Sequence, residues 1–427
     1  MSGKIIKLND GVEGLFIQNA RFNTTLVSFN FYLPLTADTV AVNALLPFVL
    51  TTCCAKYPNF RRLNYKLNKL YGAQLDASTE KCGDQQLLRI SISVINDTFS
   101  LENESLIGEA TALLLRLLFE PKVEDGAFFD EDVSREKRKA IEHIRGEISE
   151  KRTYAKNRMI EEMFAGDVYG LPKCGKEADV AAITGTSLFA AWQRMLCSAY
   201  VRVHMVGAGI PSGLFEEISE RFGTIKRTDV TLPTPAVPAQ RREKPLCITE
   251  QLSVQQGKLV MGFSSEMAGD DETTLPLLVM CDIFGGGPYS RLFTNVREKM
   301  SLCYYCAARS MRQKGLVTVD SGVESEYAEK AQKEILNQLQ IIQRGKFSDF
   351  EFESSLKSIK DSLSTYNDSQ ISLDLWYALR VANKTPLSPD EMAEQIADVT
   401  KDQVTAAAKG VFLNTVYSLL PKEETNE

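Results

Sequence analysis

The sequence contains little histidine, with only His143 and His204 among 427 residues. A zinc site built on a short paired-histidine motif needs two imidazoles close together in the chain, and these two lie 61 residues apart. Long apolar runs are also missing, since none approaches the roughly 20 residues that cross a membrane. Residues 1–10 have no apolar core of signal-peptide length. These absences argue against a membrane span and a secretion signal.

An excess of basic residues is likewise absent. Lys and Arg number 49 against 56 Asp and Glu, which gives a net charge of -7 and a pI near 5.3. Without a broad basic face for phosphates, nucleic-acid binding is not expected. The nine cysteines show no regular framework of the kind found in secreted disulfide-rich domains. We therefore predict a cytoplasmic protein with reduced thiols.

The most informative stretch that is present runs from residue 284 to 305. Three glycines and a proline at 285–288 end one predicted helix, and Ser290 is well placed to cap the next. Apolar residues at helical spacing predict a helix over 290–300, and an alternating aromatic pattern predicts a strand after Ser301. Arg297 then lies in the last helical turn and Tyr304 early in the strand, so that the reversal can bring both side chains to one point.

Arg297 and Tyr304 form a pair with a plausible chemical use. A fixed guanidinium beside a phenolic hydroxyl suits a carbonyl oxygen that gains negative charge during a reaction. The alternative is a surface arginine and a packed tyrosine without a shared role. The residues alone leave both interpretations open.

The element pattern predicts a duplicated chain. Strand, helix, helix, strand, strand, helix, helix occurs twice, at an offset of about 229 residues. Adjacent strands and grouped helices favour an α+β fold. We predict two homologous α/β-sandwich domains, each with an antiparallel-rich sheet covered by helices, in a clam-like molecule with a groove between them. The predicted boundaries are 1–230 and 246–427, joined by a Pro-rich linker at 231–245. A single long charged helix is predicted over 130–164.

These residues resemble the pitrilysin-type (inverted zincin) peptidases, the group that includes insulysin and the mitochondrial processing peptidase. The resemblance covers essentially the whole chain. Its best stretch runs from Gly285, Gly286 and Gly287 to Arg297 and Tyr304, following the pattern of the family's second half. It implies that the three glycines bind substrate and that Arg297 and Tyr304 act in catalysis. In the first half, residues 72–79 are similar to the family's strand that lines the active site, with Asp76 where active members carry a peptide-contacting asparagine.

One departure from the family is decisive. Active members carry His-x-x-Glu-His, in which two histidines bind zinc and the glutamate activates water. The corresponding positions here are 46–50, Leu-Pro-Phe-Val-Leu, and the third zinc ligand falls at His143. An apolar helix removes the ligands and the base together. We therefore predict that this chain binds no metal and no other cofactor, and has no peptidase activity by itself.

Other residues invite weaker hypotheses. Cys303-x-x-Cys306 has redox spacing, but it lies in a predicted strand without a helix N-terminus to lower a thiol pKa. The adjacent Cys53 and Cys54 are typical of packing. His204 fits a core-strand histidine with a hydrogen-bond partner. His143 is interpreted as an ordinary exposed histidine, although it could also face the groove.

Two functions from different classes follow. In small bacterial members of the family, the resemblance implies, a zinc-bearing chain pairs with a homologous chain that supplies the arginine and tyrosine. This chain is similar to the YmfF-type (also YfmF) proteins, which lack the zinc motif. The first hypothesis is thus a catalytically incomplete subunit of a heterodimeric zinc metallopeptidase, with zinc in the partner and a peptide as substrate. The alternative is a structural or scaffold protein of the same fold.

Overall fold

The computed structural model describes residues 5–235, 237–269, 271–383 and 386–422. The strands are β1 (Ile5–Asn9), β2 (Val12–Gln18), β3 (Thr24–Pro34), β4 (Gln74–Cys82), β5 (Gln85–Ile95), β6 (Val123–Glu124), β7 (Ala127–Phe128), β8 (Tyr200–Gly207), β9 (Leu246–Leu252), β10 (Gly257–Ser265), β11 (Cys303–Met311), β12 (Leu316–Val323) and β13 (Val411–Pro421). The helices are α1 (Val40–Leu50), α2 (Phe60–Lys69), α3 (Leu106–Phe119), α4 (Asp130–Glu147), α5 (Lys151–Met163), α6 (Glu177–Ala182), α7 (Gly185–Ser198), α8 (Leu214–Gly223), α9 (Leu275–Gly285), α10 (Ala328–Gln343), α11 (Asp349–Ser364), α12 (Gln370–Ala378), α13 (Pro389–Ile396) and α14 (Lys401–Lys409). A π-helical segment, Leu292–Lys299, lies between α9 and β11.

The two large sheets repeat one topology. The first has the order β1-β2-β8-β3-β5-β4, and the second has the order β11-β12-β10-β13-β9. Read from its other edge, the second sheet matches the first strand for strand, apart from the additional β1. In each sheet one pair is parallel, β2 with β8 and β13 with β9, and the remaining pairs are antiparallel. The predicted α+β fold and the duplicated strand order are confirmed.

Each face of the first sheet is covered. Along β3, Val27, Phe29 and Phe31 point into the main apolar core with α1, α3 and α7, because side chains alternate between the faces of a strand. The intervening residues, including Ser28 and Tyr32, point to the opposite face, where α12 packs. The first sheet is therefore the middle layer of three.

The second sheet is covered in the same way by a different helix. Phe263 packs on one face against Phe284 of α9, with ring centroids 6.2 Å apart. On the other face lies α5, and a Cβ atom added to Gly262 would stand 2.5 Å from the sulfur of Met159. Gly262 thus gives the helix room for a close approach to the strand.

The chain divides into two compact units that exchange these covering helices. Unit 1 comprises residues 1–145, 171–234 and 366–388, and unit 2 comprises residues 146–170, 235–365 and 389–427. Each unit thus takes one helix from the opposite half of the sequence, α12 in unit 1 and α5 in unit 2. The units follow the predicted boundaries only in part, because the hydrophobic face of each exchanged helix is buried on the other half's sheet.

Two further predictions need correction. The helix expected over 130–164 is interrupted between α4 and α5, where Gly146 and Ser149 weaken it and the chain passes from unit 1 to unit 2. Part of the Pro-rich linker is anchored rather than merely extended. Arg242 donates to the Glu162 carbonyl (3.3 Å) and to Oδ1 of Asn414 (3.1 Å) in unit 2.

Candidate functional site

The three glycines lie where α9 ends in unit 2. A Cβ atom on Gly285 would stand 2.4 Å from the backbone nitrogen of Ala308 in β11, and one on Gly286 would meet the Asp282 carboxylate at 2.2 Å. Gly285 therefore lets the helix approach the strand closely, which is a packing reason for a glycine at that position. The same helix end is tied by a short hydrogen bond from Tyr289 to Asp282. Substrate binding by Gly285, Gly286 and Gly287 stays a prediction.

The segment after the glycines is a π-helix rather than the predicted α-helix. The Met300 amide donates to the Asn295 carbonyl five residues back, at 3.1 Å, and π-helical turns are frequent at functional sites. Ser290 is buried and its hydroxyl has no hydrogen-bond partner, so the predicted cap is not made. Ser301, with φ of +50°, then turns the chain into β11 in the left-handed conformation that often follows a helix.

Arg297 and Tyr304 line one depression in unit 2, with a volume of about 420 Å³. The Arg297 side chain is 40% exposed, and its Nε lies 3.5 Å from Glu298, the neighbouring residue in the chain. Its guanidinium carbon stands 4.5 Å from the centre of the Phe293 ring, one helical turn earlier. The contacts that hold this cation are thus local, and they leave its planar end open to solvent.

Tyr304 is oriented by a break in the strand pairing. Cys303 pairs with Val323 and Tyr305 with Gly322, so Tyr304 is an extra residue in a β-bulge. It is 61% exposed. Its hydroxyl donates a 3.0 Å hydrogen bond to Glu324, and this bond raises the pKa of the tyrosine.

The depression contains charges of both signs. Glu324 and Tyr327 line it together with Arg297, Tyr304 and Cys303. Sequence reasoning missed Glu324, because its role depends on pairing between β11 and β12 that brings it beside Tyr304 across a turn. A bound peptide would therefore meet a cation, a phenol and a carboxylate within one surface.

In unit 1, the zinc-motif positions 46–50 do not fit a metal. Leu46 and Leu50 are fully buried in the apolar core, where side chains without donor atoms cannot bind zinc. Pro47 lies inside α1. Within the described residues, no group of three or more His, Cys, Asp or Glu is arranged to hold a metal ion.

Two buried carboxylates of α4, Asp132 and Glu136, are already paired with cations. Asp132 is bonded to Lys122 at 3.2 Å and to Arg135 at 2.9 Å. Burial opposes ionisation of Asp132, but these bonds outweigh it and lower its pKa. Glu136, 5% exposed, is paired with Lys139 at 2.9 Å. Charge already balanced in this way leaves little attraction for a divalent ion.

The two histidines have separate environments. His143 is exposed on α4, as predicted. His204 is fully buried on β8 and shares a 2.9 Å hydrogen bond between its Nδ1 and Asp374, which confirms the predicted core histidine with a partner. Burial lowers the pKa of His204. The identity of the partner was beyond sequence reasoning, because Asp374 comes from α12, 170 residues away.

Asp374 is the centre of a buried polar cluster in unit 1. It accepts hydrogen bonds from Ser28 (2.5 Å) and from Nε of Arg89 (2.5 Å), in addition to its bond with His204. Burial works against its charge, but Arg89 and these donors lower its pKa to about 2. The cluster joins α12 to three strands, so its role is to hold the exchanged helix on the sheet.

With this geometry in view, the chain can be compared with known proteins. Residues 182–359 match the family model described as "Peptidase M16 inactive domain". Together with the duplicated α+β fold, this confirms the resemblance to the pitrilysin-type, or M16, peptidases. The match falls on a segment that includes α9, the glycines, Arg297 and Tyr304.

Individual proteins are also similar to this chain. The chain is 29% identical over 409 residues to the "Probable inactive metalloprotease YmfF" of Bacillus subtilis (strain 168), covering 96% of each chain. It is 25% identical over 252 residues to the "Uncharacterized zinc protease YmxG" of the same organism, covering 57% of this chain and 59% of that protein. The solved structure of a conserved protein from Enterococcus faecalis V583 has 26% identity and a TM-score of 0.91, with both chains fully covered.

Proposed function

We propose that this chain is the catalytically incomplete subunit of a heterodimeric zinc metallopeptidase. In this proposal a homologous partner carries the zinc, and Arg297 and Tyr304 of this chain bind the peptide and stabilise its scissile carbonyl. The observation that carries the proposal is that both side chains line one open depression, 40% and 61% exposed.

The exposure of the pair weighs against the scaffold alternative. A scaffold uses an arginine or a tyrosine for packing, and packing buries most of the side chain. Here the phenol of Tyr304 projects from a bulge, and the guanidinium of Arg297 is held by residues of its own helical segment. Both groups are placed where a ligand can reach them.

The chemistry of the pair would complement a partner's active site. Polarisation of the scissile carbonyl is what zinc supplies in such a peptidase. As charge develops on that oxygen, the guanidinium of Arg297 and the hydroxyl of Tyr304 can donate hydrogen bonds to it from the opposite side. The ring of Tyr304 is positioned before the peptide binds, and its hydroxyl would exchange the Glu324 carboxylate for the substrate oxygen as acceptor.

The test is peptide cleavage by the complex of this chain with a zinc-bearing homologue that carries His-x-x-Glu-His. Arg297→Ala and Tyr304→Phe should each lower kcat by about 10²–10³, the usual cost of losing one oxyanion donor. Arg297→Lys should restore little activity, because it keeps the charge but loses the planar fork. Asn68→Ala is the matched control and should cleave normally, because the offset of about 229 residues makes Asn68 the unit 1 counterpart of Arg297.

A complementary test concerns the chain without a partner. We expect no stoichiometric zinc by metal analysis and no chelator-sensitive peptide hydrolysis, because Leu46 and Leu50 replace ligands in the core. The YmfF relative, described as a probable inactive metalloprotease, supports this expectation. Zinc at one equivalent together with chelator-sensitive cleavage would contradict it.

The partner and the compartment are part of the same proposal. A zinc protease relative, YmxG, exists among similar proteins, which supports a zinc-bearing homologue as the partner class. Among the described residues, the structure contains no helix that meets the length and hydropathy needed to cross a membrane. We place the complex in the cytoplasm. If both Arg297 and Tyr304 variants assemble and cleave at the wild-type rate, the chain is a scaffold.

A further inference from the structure

The bulge that projects Tyr304 also brings two cysteines together. Residues three apart on a regular strand point to opposite faces. Here Cys303 pairs with Val323 and Cys306 with Ser321, because Tyr304 is the extra residue of the bulge. Val323 and Ser321 are two residues apart and share a face of β12, so the cysteines opposite them share a face as well.

The two thiols differ in character and in access. Cys303, 9% exposed, lines the depression, whereas Cys306 is 5% exposed and is not among its lining residues. A hydrogen bond from the Cys306 thiol lowers the pKa of Cys303, and the charge of Arg297 lowers it further against the effect of burial. The same hydrogen bond and burial raise the pKa of Cys306. This asymmetry suits an attacking thiolate and a resolving thiol.

We propose that Cys303 and Cys306 are a reversible dithiol–disulfide pair, oxidised by small-molecule disulfides of the glutathione type. The Cys303 thiolate attacks one sulfur of the oxidant, whose S–S bond breaks and releases one thiolate. Cys306 then loses its proton to solvent and attacks the Cys303 sulfur of the mixed disulfide, releasing the second thiolate. Two cysteine thiols are oxidised and one external disulfide is reduced to two thiols.

Oxidation would change the surface that carries Arg297 and Tyr304. A bond between the two cysteines closes a ring around Tyr304 and Tyr305, which fixes the bulge in one shape. It also removes the Cys303 thiolate from the neighbourhood of Arg297. The regulatory meaning of this step rests on the proposed function, whereas the thiol chemistry stands without it.

The experiment is a redox titration of the purified full chain in mixtures of reduced and oxidised glutathione, followed by acid quenching and alkylation. Trypsin cuts after Lys299 and Arg309, so both cysteines fall in one peptide, residues 300–309, that contains no other cysteine. We expect this peptide to become lighter by two hydrogen atoms and to resist alkylation, reversibly on adding reduced glutathione. Cys281, buried with a raised pKa, is the internal control and should stay reduced.

Two variants separate the steps. Cys306→Ser should accumulate a glutathione adduct on Cys303, because the resolving thiol is gone. In Cys303→Ser, Cys306 should react at least about tenfold more slowly than Cys303 does in the wild-type chain, because it is buried and burial disfavours its thiolate. The proposal is overturned if the 300–309 peptide stays reduced at every ratio. It is equally overturned if Cys303 reacts no faster than Cys281.

This outcome is independent of the peptidase test. A disulfide that forms while Arg297→Ala cleaves at the wild-type rate supports the redox pair and removes the proposed function. A peptide that stays reduced while Arg297→Ala loses activity does the reverse. The rate of the oxidised complex relative to the reduced complex measures the coupling, and Cys303→Ser should abolish any difference between them.

Discussion

The two units turn from helix to strand by the same backbone route but with different side chains. In unit 1 the Ala73 amide donates to the Leu67 carbonyl at 3.1 Å, and in unit 2 the Leu302 amide donates to the Val296 carbonyl, also at 3.1 Å. The offset of about 229 residues relates both ends of these bonds. Asn68 is thereby the counterpart of Arg297.

We call these two helix-to-strand turns the corners of unit 1 and unit 2. They differ in the strand that follows. β4 pairs with β5 in continuous register, whereas β11 has the bulge at Tyr304. The helical segment before it is α-helical in unit 1 and π-helical in unit 2. Positive φ angles occur at both turns, at Tyr71 and Gly72 in unit 1 and at Ser301 in unit 2. The bulge and the π-helical segment are the irregular features that distinguish the unit 2 turn, and both kinds of feature occur often beside functional sites.

A second contrast concerns the helices that the units exchange. Asp374 of α12 is fully buried and bonded to Arg89, His204 and Ser28. Its counterpart in role is Arg152 of α5, which pairs with Asp320 through a short hydrogen bond while its side chain remains 49% exposed. Each exchanged helix is thus held by an ion pair. Asp374 of α12 is fully buried, whereas Arg152 of α5 is about half exposed.

The largest expected effect comes from removing the buried carboxylate of Asp374. Asp374→Ala should lower the free energy of unfolding of unit 1 by about 3–5 kcal/mol, because it leaves Arg89 and His204 in the core without their acceptor. Both tryptophans, Trp192 and Trp376, belong to unit 1. Tryptophan fluorescence during urea unfolding therefore reports that unit.

Arg152→Ala is the matched change in unit 2. It should cost only about 1 kcal/mol, because the pair is partly solvated, and it should move the circular dichroism transition rather than the tryptophan transition. Asp374→Asn, which keeps the size of the side chain, should cost less than Asp374→Ala. Equal losses for Asp374→Ala and Arg152→Ala would show that burial of the anchors does not distinguish the two units.

The exchange of helices marks the limit of what the sequence could predict. Repeated patterns of apolar residues were enough for the α+β class and for the duplication, but not for the order of the strands within each sheet. Asp374 lies 346 residues from Ser28 and 285 from Arg89, and no local pattern records such a pairing. The break after α4 left a weak signal in Gly146 and Ser149, but the bulge at Tyr304 left none, since it depends on the register with β12.

The stability of unit 1 should also depend on pH through the His204–Asp374 pair, with a smaller effect than that of Asp374→Ala. His204 has a lowered pKa because burial and the nearby Arg202 and Arg89 oppose a second proton, while Asp374 favours it. In the unfolded chain His204 takes up a proton below about pH 6.5. The unfolded state then binds more protons, so stability falls as pH falls from about 6.5, by at most about 1.4 kcal/mol per pH unit.

The tryptophan-detected urea midpoint, measured from pH 7.5 to 5, checks this dependence. His204→Asn should flatten it, because the amide can donate to Asp374 but does not titrate. His143→Asn, which replaces the other histidine at an exposed position of unit 1, is the comparison variant. Asp374, with a pKa of about 2, adds a second loss as pH falls below about 4. A midpoint that rises on acidification would contradict the role of His204.

The smallest expected effect sharpens the contrast between the corners. Glu324 accepts the hydrogen bond of Tyr304 and raises its pKa, so Glu324→Gln should lower that pKa. The shift can be followed as the difference between ultraviolet titrations of the variant with and without Tyr304→Phe. In the complex with a zinc-bearing partner, Glu324→Gln should slow cleavage only about two- to fivefold, as expected for one exposed interaction.

Glu324 acts by positioning the phenol, whereas Tyr304 itself would donate to the substrate. The double variant with Tyr304→Phe should therefore be no slower than Tyr304→Phe alone, since without the hydroxyl there is nothing left to position. A further loss in the double variant would mean that Glu324 contacts the peptide directly.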